Sequence, residues 1–99
     1  MLVAAFLAEH PRDTRAALAS FELGRLQMDV AHDAQAAVRS LSRALAASPT
    51  ASFAEDALAR LVRAHDQRGD VRACQEARAL YEKRYPAGAY AKSLAAMCP

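Results

Sequence analysis

Isoleucine, asparagine and tryptophan are absent from this 99-residue chain, and valine and threonine together number only seven. β-Branched residues pack best on a pleated surface, so the chain holds little material for a sheet. The three glycines, Gly24, Gly69 and Gly88, stand far apart, and no glycine-rich loop able to cradle a phosphate can be written from them. Lysine occurs twice, and the 13 basic residues against 11 acidic ones leave a net charge of +2 with no run of one sign. Such a balance gives no electrostatic footprint for nucleic acid. No apolar stretch approaches the roughly 20 residues that a membrane span requires. The length excludes a multidomain enzyme and leaves one small domain or a piece of a longer protein.

Alanine is what the chain has in excess, 26 residues of 99. It is the best helix former, so the composition indicates an all-α protein. The opening Met1-Leu2-Val3-Ala4-Ala5-Phe6-Leu7-Ala8-Glu9 is apolar for eight residues but lacks a basic leader region and meets an acid early. It reads as the tail of a helix, neither a signal peptide nor a span. Residues 1–99 are accordingly expected to be a single domain at the C-terminal end of a longer protein, and a cytoplasmic address does not follow from the missing leader.

Three segments close in the same way, Phe6-Leu7-Ala8-Glu9-His10-Pro11, Leu45-Ala46-Ala47-Ser48-Pro49 and Tyr81-Glu82-Lys83-Arg84-Tyr85-Pro86, with prolines 38 and 37 residues apart. Five residues after each proline stands Ala16, Ala54 or Ala91, and twelve residues after it Leu23, Leu61 or Cys98. Proline cannot continue a helix and biases the residue before it away from helical geometry, so each marks a helix end. Thr14 and Ser52 are placed to cap the helices that follow, and Ser52-Phe53-Ala54-Glu55 has the form of a capping box. Gly69 is expected to end a helix, Gly88 to open a turn and Gly24 to let helices approach closely. The predicted helices are 2–9, 14–30, 33–47, 52–68, 70–85 and 89–97. Apolar stripes at helical spacing support them: Ala34, Ala37, Val38, Leu41, Ala44 and Leu45; Leu58, Leu61, Val62 and His65; Val71, Cys74, Ala77 and Tyr81. Small-sided stripes of this kind are buried economically by stacking successive helix hairpins.

Leu23-Gly24 on one helix, followed by Ala37, Leu41, Ala44 and Pro49 on and after the next, resembles the tetratricopeptide repeat (TPR). A second unit is looser, with Leu61-Val62 in place of leucine and glycine, then Cys74, Arg78, Tyr81 and Pro86. Tyr85-Pro86-Ala87-Gly88-Ala89-Tyr90-Ala91 is similar to turns in repeat-bearing bacterial envelope proteins, among them assembly lipoproteins and Tol-Pal-associated coordinators. Phe21-Glu22-Leu23-Gly24 and Ala54-Glu55-Asp56-Ala57-Leu58-Ala59-Arg60 are similar to the repeat regions of FecR-type regulators. The resemblance implies antiparallel hairpins stacked as a short right-handed solenoid of about six helices, serving a protein or peptide partner without catalysis. It also implies a partner groove lined by Phe21, Arg25, Met28, Arg63 and Gln67. A periplasmic or envelope address is expected, with the cytoplasm as the alternative. Self-association through the terminal helices is the rival role.

Of the three histidines, His10 precedes a proline, His32 falls in a turn and His65 sits on a helical stripe. None shares a helix face with other ligands at metal spacing, so no metal is expected, and nothing calls for a cofactor. Hydroxyl residues such as Ser20, Ser40, Ser42 and Ser93 stand outside any nucleophile elbow, so no enzyme activity is expected. Arg60 follows Asp56 by one turn, and Arg72 and Arg78 have Glu76 and Glu82 nearby, which describes a locally balanced, solvated face. The two cysteines remain. Cys74 lies twelve residues before Pro86 and Cys98 twelve after it, so antiparallel helices meeting at that turn bring both thiols to one level, as a disulfide requires. The alternative is that Cys74 is merely a small buried residue and Cys98 a frayed end.

Overall fold

Helix boundaries in this chain follow from a handful of side chains. The computed structural model describes residues 14–99. Among these it places five helices and no strand: α1 (Thr14–Asp29), α2 (Ala34–Ala47), α3 (Ala54–Gln67), α4 (Val71–Arg84) and α5 (Ala91–Ala95). The expected helix over 2–9, with His10 and Pro11, lies outside the described residues, as does the turn before Thr14 on which its capping role would rest.

Asp33 and Asp70 start α2 and α4. Each carboxylate accepts a hydrogen bond from the N–H three residues on, Ala36 and Ala73, at 3.0 Å, meeting one of the donors that a helix start leaves unpaired. Gly69 ends α3 at φ 76°. Its N–H bonds Asp66 O and that of Asp70 bonds His65 O, the paired closure in which glycine takes the left-handed conformation at no steric cost. α2 stops at Ser48 before Pro49, and α4 at Tyr85 before Pro86.

The start of α3 departs from the capping box. Phe53 occupies the cap position without a side-chain bond, and the helix begins at Ala54. Glu55 is drawn elsewhere: its carboxylate accepts from the Tyr81 hydroxyl at 2.7 Å and from Ala89 N–H at 3.0 Å. The last helix is also shorter than expected, five residues where 89–97 was predicted. The backbone on both sides of it is committed to tertiary bonds. Ala89 and Tyr90 donate to Glu55 and Tyr81, Arg78 takes the Met97 carbonyl, and Cys98 N–H donates to Asp66. Cys98 stands beyond the helix at φ 61°, not on the helical stripe with Tyr90 and Leu94 that the spacing suggested.

Successive helices run antiparallel. Gln35 at the start of α2 bonds Arg68 just past the end of α3, and Glu55 at the start of α3 bonds Tyr81 near the end of α4. α3 is the central element, in contact with each of the other four helices, and alanines at 54, 57, 59 and 64 let them close on it from several sides. Two apolar clusters result. One gathers Phe21, Met28, Ala37, Leu41, Ala44, Ala57 and Ala64 between α1, α2 and α3. The other gathers Leu58, Val62, Cys74, Ala77, Tyr81, Leu94 and Cys98 between α3, α4 and the C-terminal segment. Gly24 sets the spacing of α1 and α2, since a Cβ there would fall 2.8 Å from the Leu41 side chain. Ser20 and Ser40, buried on the same seam, are satisfied: Ser20 donates to Ser40 O and Ser40 to Gln27 Oε1.

Candidate functional site

The residues expected to line a partner groove are not assembled into one. Phe21 is only 6% exposed and stacks on Phe53 with ring centroids 5.2 Å apart, and Met28 is 8% exposed in the same cluster. Both are core residues. Their stripe on α1 faces α2 and α3, because Gly24 on that face allows the closest approach there. Arg25 pairs with Glu22 on its own helix at 2.8 Å. Arg63 lies over the Tyr90 ring, 5.6 Å from its centroid, and Gln67 is exposed at the end of α3.

The open apolar surface lies elsewhere. α2 and α4 flank α3 and their backbones do not meet, so a trough of about 350 Å³ remains between them. Leu58, Leu61 and His65 of α3 make its floor, and Ser42 and Leu45 of α2 one wall. The other wall is α4, through Ala73, Glu76, Ala77 and Leu80. These four positions recur at three and four residues and share one helix face, which Arg84 continues one turn further on. Arg84, with Tyr85, Pro49 and Thr50, lines a second cavity of about 510 Å³. Leu80 is 39% exposed on this face, an apolar side chain at the mouth of an apolar trough.

His65 is half-buried in that floor, as its place on a helical stripe suggested. Burial, reinforced by the neighbouring Arg68 guanidinium, holds its pKa below the usual histidine range, so the ring is neutral at neutral pH. Glu76, the one acid on the lining, pairs with Arg72. The trough could be read only in part from sequence. Leu45, Leu58 and Leu61 stand on the predicted stripes, whereas Leu80 and Arg84 carry no signal until α4 is seen to stand apart from α2.

The C-terminal segment is clasped to α3 and α4. Cys74 and Cys98 are joined in a disulfide with Cα atoms 5.5 Å apart, so the pairing suggested by their distances from Pro86 holds. Both cysteines are buried, and Leu94 is fully so. Tyr81, also fully buried, has its hydroxyl between Glu55 and Tyr90 N–H. Burial, and then the Glu55 carboxylate, push its pKa above the usual tyrosine value. Gly88 completes the clasp: a Cβ there would come within 2.6 Å of Glu55 Oε2 and 2.9 Å of Tyr85 Cβ. The sequence assigned Gly88 to a turn, and the turn is as tight as it is because these groups crowd its inner side.

Among the described residues no group of three His, Cys, Asp or Glu side chains is placed to hold a metal ion, and no helix is long and apolar enough to cross a membrane. Comparison with protein families, curated proteins and solved structures finds no match to the chain.

Proposed function

We propose that the chain is a tetratricopeptide-like helical-repeat domain, its hairpins wound as a short right-handed solenoid, and that it serves as a non-catalytic protein-interaction module of a bacterial envelope or regulatory protein. The observation that carries this reading is the uncovered trough above α3, apolar in its lining and walled by two helices that do not touch. Concave apolar surface with a few polar groups at its edge is what a docking peptide fills. The disulfide supports an oxidising compartment, the periplasm or the cell surface, since such bridges persist there and are rare in the cytosol.

Leu18, Leu26 and Val30 favour a second reading. Leu18 and Leu26 are exposed on α1 and Val30 just past its end, and such a surface would suit stacking on another copy or on the rest of a parent chain. A photo-crosslinking amino acid at Leu80 or at Leu26, introduced in cells of the source organism, separates the two. Crosslinks from Leu80 to a distinct protein, with a monomeric mass by light scattering, support the docking module. Crosslinks from Leu26 to the chain itself, with mass rising with concentration, support self-association and end the first reading.

A further inference from the structure

We propose that the trough above α3 takes an acidic amphipathic segment of a partner protein, one large apolar side chain entering between Leu45, Leu61 and Leu80 while carboxylates beside it meet Lys83 and Arg84. The proposal rests on the docking reading above and names the chemistry of its partner. Charge around the trough is what distinguishes the occupant. Most arginines of α3, α4 and the turn between them are already engaged: Arg60 with Asp29 and Asp56, Arg68 with Asp70, Arg72 with Glu76, Arg78 with Glu82. Among the described residues Lys83 and Arg84 form no ion pair or hydrogen bond. Arg39, one turn before Ser42 on the opposite wall, likewise has no partner among the described residues. Glu76 is the one acid on the lining and its charge is balanced by Arg72, while Pro49 and Thr50, which share the second cavity with Arg84, carry none.

By helical position uncompensated positive charge therefore flanks the apolar trough: Lys83 stands two turns from Glu76 and Arg39 one turn from Ser42, while Arg84 lines the second cavity. Four residues separate Leu80 from Arg84, a rise of about 6 Å along α4. That matches one turn of a docked helix or two residues of a docked strand, so anchor and carboxylate can be near neighbours in the partner sequence. A cationic segment would meet Lys83, Arg84 and Arg39 and find no unpaired acid on the trough lining, and like charges held together at an interface are strongly disfavoured.

The test uses the full oxidised chain, isotopically labelled for amide spectra, and three synthetic peptides. The first is acetyl-Asp-Glu-Ala-Leu-Phe-Asp-Glu-amide, the second has lysine for every acid, and the third has alanine for Leu-Phe. The acidic apolar peptide is expected to shift the amides of Leu45, Leu61, Leu80 and Arg84, and to bind about tenfold more weakly after Lys83→Glu with Arg84→Glu, and more weakly again in high salt. Both sites are exposed, and circular dichroism confirms that the double variant is folded. The alanine peptide is expected to leave the spectrum unchanged. Binding of the lysine peptide in the trough with equal or greater affinity overturns the acidic preference while leaving the docking reading in place. Peptide shifts confined to other faces, or unchanged affinity in the charge-reversed variant, overturn the proposal as well. A Leu80 crosslinker that captures nothing but a second copy refutes the docking reading on which it rests.

Discussion

Removing the Cys74–Cys98 bridge should destabilise the domain unevenly, and the structure sets both the size and the place of the loss. Cys74→Ala with Cys98→Ala deletes a cross-link spanning a sequence separation of 24. For a loop of that length the chain-entropy account gives about 3.5 kcal/mol. In a domain of this size that corresponds to a fall in Tm of roughly 15–25 °C. What remains on the C-terminal segment is the burial of Leu94, worth about 2 kcal/mol, together with the hydrogen bonds at Ala89, Tyr90, Met97 and Cys98. Ordering the dozen or so residues after Pro86 costs about 1 kcal/mol or more for each backbone, so the segment should detach before the rest melts. Hydrogen exchange then locates the event: amides at Leu94, Met97 and Cys98 lose protection, while those of α1, α2 and the first turns of α3 keep it. Calorimetry of the oxidised protein and the double variant measures the total. A Tm change under about 5 °C, or uniform loss of protection from α1 onward, would refute the reasoning that the bridge acts by pinning this segment.

Further outcomes follow from three individual residues. Tyr81→Phe removes a hydroxyl that donates to Glu55 and accepts from Tyr90 and should cost about 2 kcal/mol by urea titration; a loss below a few tenths would mean that solvent already serves these groups. Because the folded-state pKa of Tyr81 is raised, its contribution is intact below about pH 10 and disappears as pH rises through the folded value, so stability should fall less steeply above that pH in Tyr81→Phe than in the parent. His65 has a lowered folded pKa, so below about pH 6.5 the unfolded chain binds the extra proton and stability falls with pH; His65→Gln should flatten that acid limb, and an unchanged limb would assign it to other groups. Gly24→Ala adds a Cβ 2.8 Å from the side chain of the fully buried Leu41 and 3.3 Å from its backbone nitrogen; the expected loss is about 1–2 kcal/mol despite the gain in helix propensity, read as a lower denaturant midpoint.

The helices and their turns were legible because their signals are local. Asp33, Asp70, Gly69 and the prolines act within a few residues of where they stand, and alanine leaves little choice of secondary structure. The disulfide forms as the spacing suggested but not by helical rise alone, since Cys98 stands past the five-residue α5 and tertiary bonds at Met97 and Cys98 bring it to Cys74. Where local grammar misled, a distant group had outbid it. Glu55 bonds Tyr81 and Ala89 instead of closing a capping box with Ser52, and the backbone around α5 bonds Arg78, Asp66 and Tyr81 instead of extending the helix.

Composition and spacing thus determined by themselves that this chain is all-α and where α1 to α4 run, and left the Cys74–Cys98 bridge as one of two alternatives. Which face of each helix stays open was decided only in the tertiary structure. Phe21 and Met28 have the spacing of a groove floor as much as that of a core, and nothing within α1 tells the two apart. They are core because Gly24 draws Leu41 against that face. Leu80 and Arg84 look like ordinary surface residues of α4 in the sequence. Leu80 faces the trough and Arg84 the second cavity because α3 stands between α2 and α4 and holds them apart, an arrangement that depends on the packing of three helices at once.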